Sequence, residues 1–186
     1  MNTASLSLPL QHHIALITGG GRGIGAATAE ALARKGAHVI VASRTEAELT
    51  ATVARLHAAG LGASSLVLDV ADDAAVDAAF DRIAAEFGRL DILVNNAAIL
   101  LSGAFAEIAM ADWDRLMAVN LRGAVLCARR AFRLMRERGG SIVNVSSLGG
   151  VQNTCWVPRD YVDTRSRRLL ESRQFLRDLT VALRRP

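Results

Sequence analysis

Thr18-Gly19-Gly20-Gly21-Arg22-Gly23-Ile24-Gly25 follows the apolar run Ile14-Ala15-Leu16-Ile17 and opens into an alanine-rich stretch, so it reads as strand, tight turn and helix N-terminus in succession. That order makes a seat for a phosphate. Unpaired N–H groups and the positive end of the helix dipole converge where the turn meets the helix, and side chains there would block a pyrophosphate. Gly19 permits the turn, Gly23 lets the backbone come close to the ligand, and Gly25 lets helix pack tightly on strand. The spacing Gly-x-x-x-Gly-x-Gly differs from the commonest dinucleotide fingerprint, and a glycine-rich connection without a ligand is the alternative.

Outward from the turn, the chain alternates strand-like and helix-like stretches. Ala26 to Lys35 is helical with Gly36 as its stop, and His38-Val39-Ile40-Val41-Ala42-Ser43 is a β-branched strand. Thr45-Glu46-Ala47-Glu48 has the form of a capping box opening a helix to about Ala59. A third strand is expected at Ser65–Leu68, a helix over Asp72–Phe87 and a fourth strand at Leu90–Val94. A long helix from about Asp112 to Glu137 and a fifth strand at Ser141–Val145 follow. The pattern predicts an α/β fold, a doubly wound parallel Rossmann-like sheet with helices on both faces, in a single domain spanning residues 1–186.

Composition narrows the class. With 186 residues, 51% hydrophobic and 22% charged, the chain suits one globular domain without disordered blocks. Met1 to His13 lacks the pattern of a signal peptide and no run approaches membrane-spanning length, so a cytoplasmic protein without membrane contact is expected. Cys127 and Cys155 are too few for a disulfide framework and read as small packing residues. Residues 1–150 are neutral, with 14 basic and 14 acidic groups, and the net +4 sits in residues 151–186. Asp163, Glu171 and Asp178 interleave with those last basic residues, which favours a solvated helix face over a nucleic-acid contact.

Ligands of such sheets lie beyond the carboxyl ends of the strands, and the polar residues fall there. Arg22 lies in the turn, Ser43 and Arg44 end the second strand, and Asp69 follows the third. Asn95 and Asn96 end the fourth, and Ser146 and Ser147 the fifth. Each alone could be a turn residue or a cap. Ser43 stands where an acid would bind the adenosine ribose 2′-hydroxyl, and Arg44 comes next; with Arg22, two cations favour the 2′-phosphate of NADP(H) and leave NAD(H) as the alternative. Both arginines could also be ordinary surface residues of an arginine-rich chain.

The turn Thr18–Gly25, Asp69-Val70, Asn95-Asn96-Ala97-Ala98, Asn120 within Val119-Asn120-Leu121, and Ile142-Val143-Asn144-Val145-Ser146-Ser147 occur in an order that resembles the short-chain dehydrogenase/reductase family. The resemblance covers residues 14 to about 150 and is nearest to members like 3-oxoacyl carrier-protein reductases and polyol dehydrogenases. It implies cofactor binding by Gly19, Gly21, Arg22, Gly23, Ile24, Gly25, Ser43, Arg44, Asp69, Val70, Asn95 and Ala97. Within that set Asp69 would bind adenine and Asn95 would shape the cleft, while Asn120 would hold a catalytic water in a kink of the long helix. Ala98 stands where the family usually has glycine.

Family catalysis uses a serine, a tyrosine and a lysine four residues after the tyrosine. The resemblance assigns Ser147 to the substrate oxygen and Tyr161, the chain's one tyrosine, to the general acid, whose phenol pKa a nearby cation lowers. Arg165 stands where lysine is expected; on a helix it shares a face with Tyr161, but its planar fork fits a ribose differently. Residues 151–186 diverge into a basic helical stripe, and the family's last strands and substrate lid are not recognisable there. Three readings follow. One is an NADP(H)-dependent enzyme acting on a small-molecule carbonyl or alcohol, as a homo-oligomer if the family's helix interface persists. The others are a catalytically impaired dinucleotide-binding or interaction protein, and a truncated or frame-altered reductase fragment.

Overall fold

The structure, a computed structural model, describes residues 8–101 and 107–146. Five parallel strands form one sheet in the order β3-β2-β1-β4-β5: β1 Ile14–Thr18, β2 His38–Ser43, β3 Ala63–Val67, β4 Ile92–Asn95 and β5 Ser141–Asn144. Helices α1 (Gly23–Ala33), α2 (Glu46–Ala58) and α3 (Asp73–Phe87) make the crossovers between successive strands. Between β4 and β5 lie α4 (Met110–Met117), a π-helical turn (Ala118–Arg122) and α5 (Gly123–Met135). The long helix expected over Asp112–Glu137 is therefore broken into two α-helical parts, and its kink is a widened turn at Asn120.

Strand alternation explains the two helical layers. Ile14, Leu16, Ile40 and Leu66 join Val76, Phe80 and Ile83 of α3 and Cys127, Ala131 and Met135 of α5 in one core. Ala15, Ile17, Val39 and Val41 face the other way and pack with Ala29 and Ala33 of α1 and Leu49 and Leu56 of α2. Both faces of β1 are covered, and none of its five residues is exposed. Such two-sided burial requires the continuous apolar runs seen in the sequence. Phe80 is among the largest fully buried side chains, and truncating it to alanine would cost about 3–5 kcal/mol.

Three local expectations shift, the first being that the fourth strand, expected at Leu90–Val94, runs Ile92–Asn95. The third strand begins two residues earlier than expected, because Ala63 and Ser64 pair with Val39 and Ile40. The capping box of α2 does not close: Thr45 sits at the N-cap without a side-chain hydrogen bond. Instead the Thr45 N–H donates to Ser43 Oγ at 3.3 Å, and Glu48 turns toward Arg22. By contrast Asp72 caps α3, accepting from the Ala75 N–H at 3.0 Å. Ser147, Tyr161, Arg165, Cys155, Trp156 and the basic stretch 151–186 lie outside the described residues.

Candidate nucleotide site at the carboxyl rim of the sheet

The strand order places β4 beside β1, so chain direction diverges from β1 to either side and leaves a crevice at the carboxyl ends. The glycine turn sits there, held by hydrogen bonds from β4 and the residues after it, from β2 and from α2. Thr18 Oγ1 donates to the Val94 carbonyl at 3.3 Å and accepts the N–H groups of Asn96 and Ala97 at 3.0 and 3.1 Å. Asn96 Nδ2 donates to the carbonyls of Thr18 and Gly19, both at 3.1 Å. Gly20 N–H bonds the Ala42 carbonyl at 3.1 Å, and Thr52 Oγ1 bonds the Gly21 carbonyl at 2.8 Å. The turn is thus set before any ligand arrives.

Glycine is required at several points of it, by conformation at Gly19 and Gly23 and by close packing at Gly25. Gly19 has φ of +65°, in the left-handed region. A Cβ on Gly25 would lie 2.2 Å from the Gly19 carbonyl oxygen and 2.6 Å from Asn96 Nδ2, which agrees with tight helix-on-strand packing. At Gly23 a Cβ would meet nothing within 4 Å, since that backbone faces the open crevice, but φ of +54° puts it in the left-handed region that favours glycine. The N-cap of α1, Arg22, provides no side-chain hydrogen bond, and the first turn holds no acid. The first-turn N–H groups of α1 therefore present positive potential to the crevice without a competing carboxylate of their own helix.

The crevice has a volume of about 1010 Å³, counting the space open to solvent at its mouth. Among the described residues its walls include Gly19, Arg22, Gly23, Ile24, Arg44, Asp69, Val70 and Ala97, so eight of the expected cofactor residues meet in one place. Ile24 is 67% exposed there, an apolar side chain at the mouth of a polar cleft. Gly21 and Gly25 are buried behind the turn and Asn95 beneath it, while Ser43 stands beside the wall. Asn95 Nδ2 donates to Asn144 Oδ1 at 2.9 Å and to the Ala124 carbonyl at 3.2 Å, joining β4, β5 and α5 under the cleft floor.

Asp69 is already engaged. Its Oδ1 accepts the Ala71 N–H at 3.0 Å, and Arg115 of α4 donates to Oδ2. Desolvation pushes the Asp69 carboxyl up, but the hydrogen bonds of Arg115 and Ala71 and the charges of Arg115 and Arg44 outweigh it and hold it below the usual carboxylate value. Asn120 is buried in the π-turn, where its Oδ1 accepts the Ile99 N–H and its Nδ2 donates to the Ile99 carbonyl, each at 2.9 Å. Gly123 lets the same helix close on the loop after β3, for a Cβ there would lie 2.7 Å from the Val70 carbonyl.

Sequence reasoning missed four of these partners. Asn96 and Thr18 were visible in the motif but not as the lock on the turn, and Arg115 lies 46 positions from Asp69. Glu48 matched a capping box and stands instead 3.4 Å from Arg22. Cys127 is fully buried, and burial pushes its thiol up to about 12, which fits a packing residue rather than a nucleophile. Among the described residues no helix is long and apolar enough to cross a membrane.

The short chain dehydrogenase family profile matches residues 13–159. The short-chain reductase protein NovJ of Streptomyces niveus is 44% identical over 144 residues, which cover 77% of this chain and 55% of that protein. D-threitol dehydrogenase of Mycolicibacterium smegmatis is 42% identical over 144 residues, covering 74% of this chain and 54% of the relative. The chain thus spans about half the length of these curated relatives. A mutant short-chain dehydrogenase/reductase of Serratia marcescens superposes with a TM-score of 0.84 at 34% identity, covering 94% of this chain and 71% of that one. With its sheet order, its locked glycine turn and these matches, the chain belongs to the short-chain dehydrogenase/reductase family.

Proposed function

We propose that the protein is an NADP(H)-dependent oxidoreductase that interconverts a small-molecule carbonyl and a secondary alcohol. The observation that carries this reading is the α1 N-terminus, open to the crevice with Arg22 and Arg44 on the same wall. A pyrophosphate fits a helix terminus with no acid in its first turn, and two exposed arginines suit a third phosphate. The dinucleotide, when bound, supplies or accepts hydride. Gly19 and Gly23 admit its diphosphate, Asp69 and Val70 border its base, and Ile24 covers apolar surface near the mouth of the cleft. The names of two relatives, a reductase and a dehydrogenase of a polyol, support carbonyl–alcohol chemistry in either direction.

Ser147 would bind the substrate oxygen and Tyr161 would exchange a proton with it. Arg165 would stabilise the phenolate by charge while holding its own proton firmly. Asn120, tied to Ile99, orients the π-turn beneath that chemistry. The test is NADPH oxidation by the full chain across ketones and acyl thioesters. Turnover that Tyr161→Phe lowers at least a hundredfold is the expected result; turnover unchanged by it overturns the assignment.

A second reading, a dinucleotide-binding protein impaired in catalysis, is favoured by Arg165 at the lysine position. It predicts micromolar NADPH binding without turnover, and a gain of turnover in Arg165→Lys.

A further inference from the structure

Glu48 is the acid paired with Arg22 at the crevice. Its Oε1 lies 3.4 Å from Arg22 Nε, and it lines the same cleft as Arg44. It is freed for this place because the capping box it was expected to close is not made. Glu48 Oε2 and Ser43 Oγ approach the same point, 3.3 and 3.1 Å from where a Gly21 Cβ would be. Ser43 ends β2 at the position where an acid would meet a ribose 2′-hydroxyl. A carboxylate thus reaches the ribose end of the site from the first turn of α2, in place of one at the strand end.

We infer that Glu48 is a specificity-determining residue that opposes the 2′-phosphate of NADP(H) and keeps the site permissive for NAD(H). The inference rests on the proposed dinucleotide function. Its physics is simple: a 2′-phosphate carries up to two negative charges, whereas a 2′-hydroxyl is neutral and can donate to a carboxylate. Arg22 cannot serve the phosphate fully while paired to Glu48, and Glu48 itself repels it. Exposed side chains soften both effects, since Arg22 is 83% and Glu48 38% exposed and salt screens them. Arg44 makes no ion pair with Glu48, and the acid whose charge it feels is Asp69, itself held by Arg115, so Glu48 acts on the wall through Arg22.

Calorimetric titration of the full chain with NADPH, NADH, 2′,5′-ADP and 5′-AMP tests this without turnover. Glu48→Gln is expected to tighten NADPH and 2′,5′-ADP about tenfold and to move NADH and 5′-AMP less than about twofold, with the gain shrinking as ionic strength rises. Tightening below about threefold for the phosphorylated pair, or equal tightening of both pairs, overturns the inference. Should Glu48→Gln melt early, Glu48→Asp withdraws the charge by one methylene and is expected to give a smaller shift of the same sign; no shift overturns it. Failure of the NADP(H) preference itself is separate. It would appear in the unsubstituted chain as NADPH bound no tighter than NADH and indifferent to Arg44→Ala, with the sign of the Glu48 effect unaltered. Absence of binding by all four ligands overturns both.

Discussion

The two ends of the parallel sheet use polar groups in opposite ways. At the carboxyl end, side chains such as Thr18 and Asn96 satisfy the backbone so that the α1 N–H groups can face an open cleft. At the amino end, polar groups face one another. Asp91, only 7% exposed, accepts the Ile14 N–H at 2.8 Å and two donors from Arg89, while its own backbone N–H bonds the Ile14 carbonyl and its carbonyl receives Ser141 N–H. One residue there stitches β1, β4 and β5. The contrast separates a rim that leaves a cleft open from one that holds strands in register.

Substitutions can break that contrast. The largest effect is expected from Gly25→Ala, whose methyl group would collide with the Gly19 carbonyl and displace the turn. Dinucleotide affinity should fall about a thousandfold by titration, and an affinity within tenfold of the starting value would refute the assigned geometry. Next is Asp91→Ala at the opposite rim. It leaves Arg89 unpaired and the Ile14 N–H buried without its acceptor, so denaturant unfolding should show a loss of about 3 kcal/mol. Affinity in the surviving folded protein should change less than about threefold, because nothing at the cleft is touched.

The smallest effect is a pH dependence confined to the amino end. His38 opens β2, bonds Ser64 Oγ through Nε2 at 3.1 Å and packs against the Phe87 ring. Burial lowers its pKa first, His57 adds to that, and Glu86 opposes it. A histidine whose folded pKa lies below its unfolded value loses stability as pH falls through and below the ordinary histidine range, since the unfolded chain takes the proton more readily. Stability should therefore decline from neutral pH downward, and His38→Gln should flatten that slope while leaving dinucleotide affinity unmoved. A slope identical in the variant would assign the effect elsewhere.

What was legible in the sequence followed from periodicity and from residues with few alternatives. Ile14–Ile17 must be buried on both faces and Gly19 and Gly25 have no substitute in their turn, while the kink at Asn120 came from the family resemblance and not from periodicity. Pairings across elements were not legible. Arg115 reaches Asp69 because α4 passes over the loop after β3, and nothing local to either residue announces it. Glu48 shows the opposite failure: its local pattern was correct for a cap, yet Ser43 took the Thr45 N–H and a tertiary cation drew the carboxylate away. Ser147, Tyr161 and Arg165 lie outside the described residues, so their roles rest on the family resemblance.

The central position of β1 also governs how the chain must be made. Its partner on one side, β2, follows one helix later, but its partner on the other side, β4, is still absent when β2 emerges. Synthesis of the roughly fifty residues between Ser43 and Ile92 takes several seconds at ribosomal rates. Through that interval the most apolar strand keeps one hydrogen-bonding edge unpaired, a state prone to capture by other nascent chains. The crevice at the carboxyl rim of the finished protein is, during translation, a seam left open until β4 arrives, and only after that can β5 close on β4.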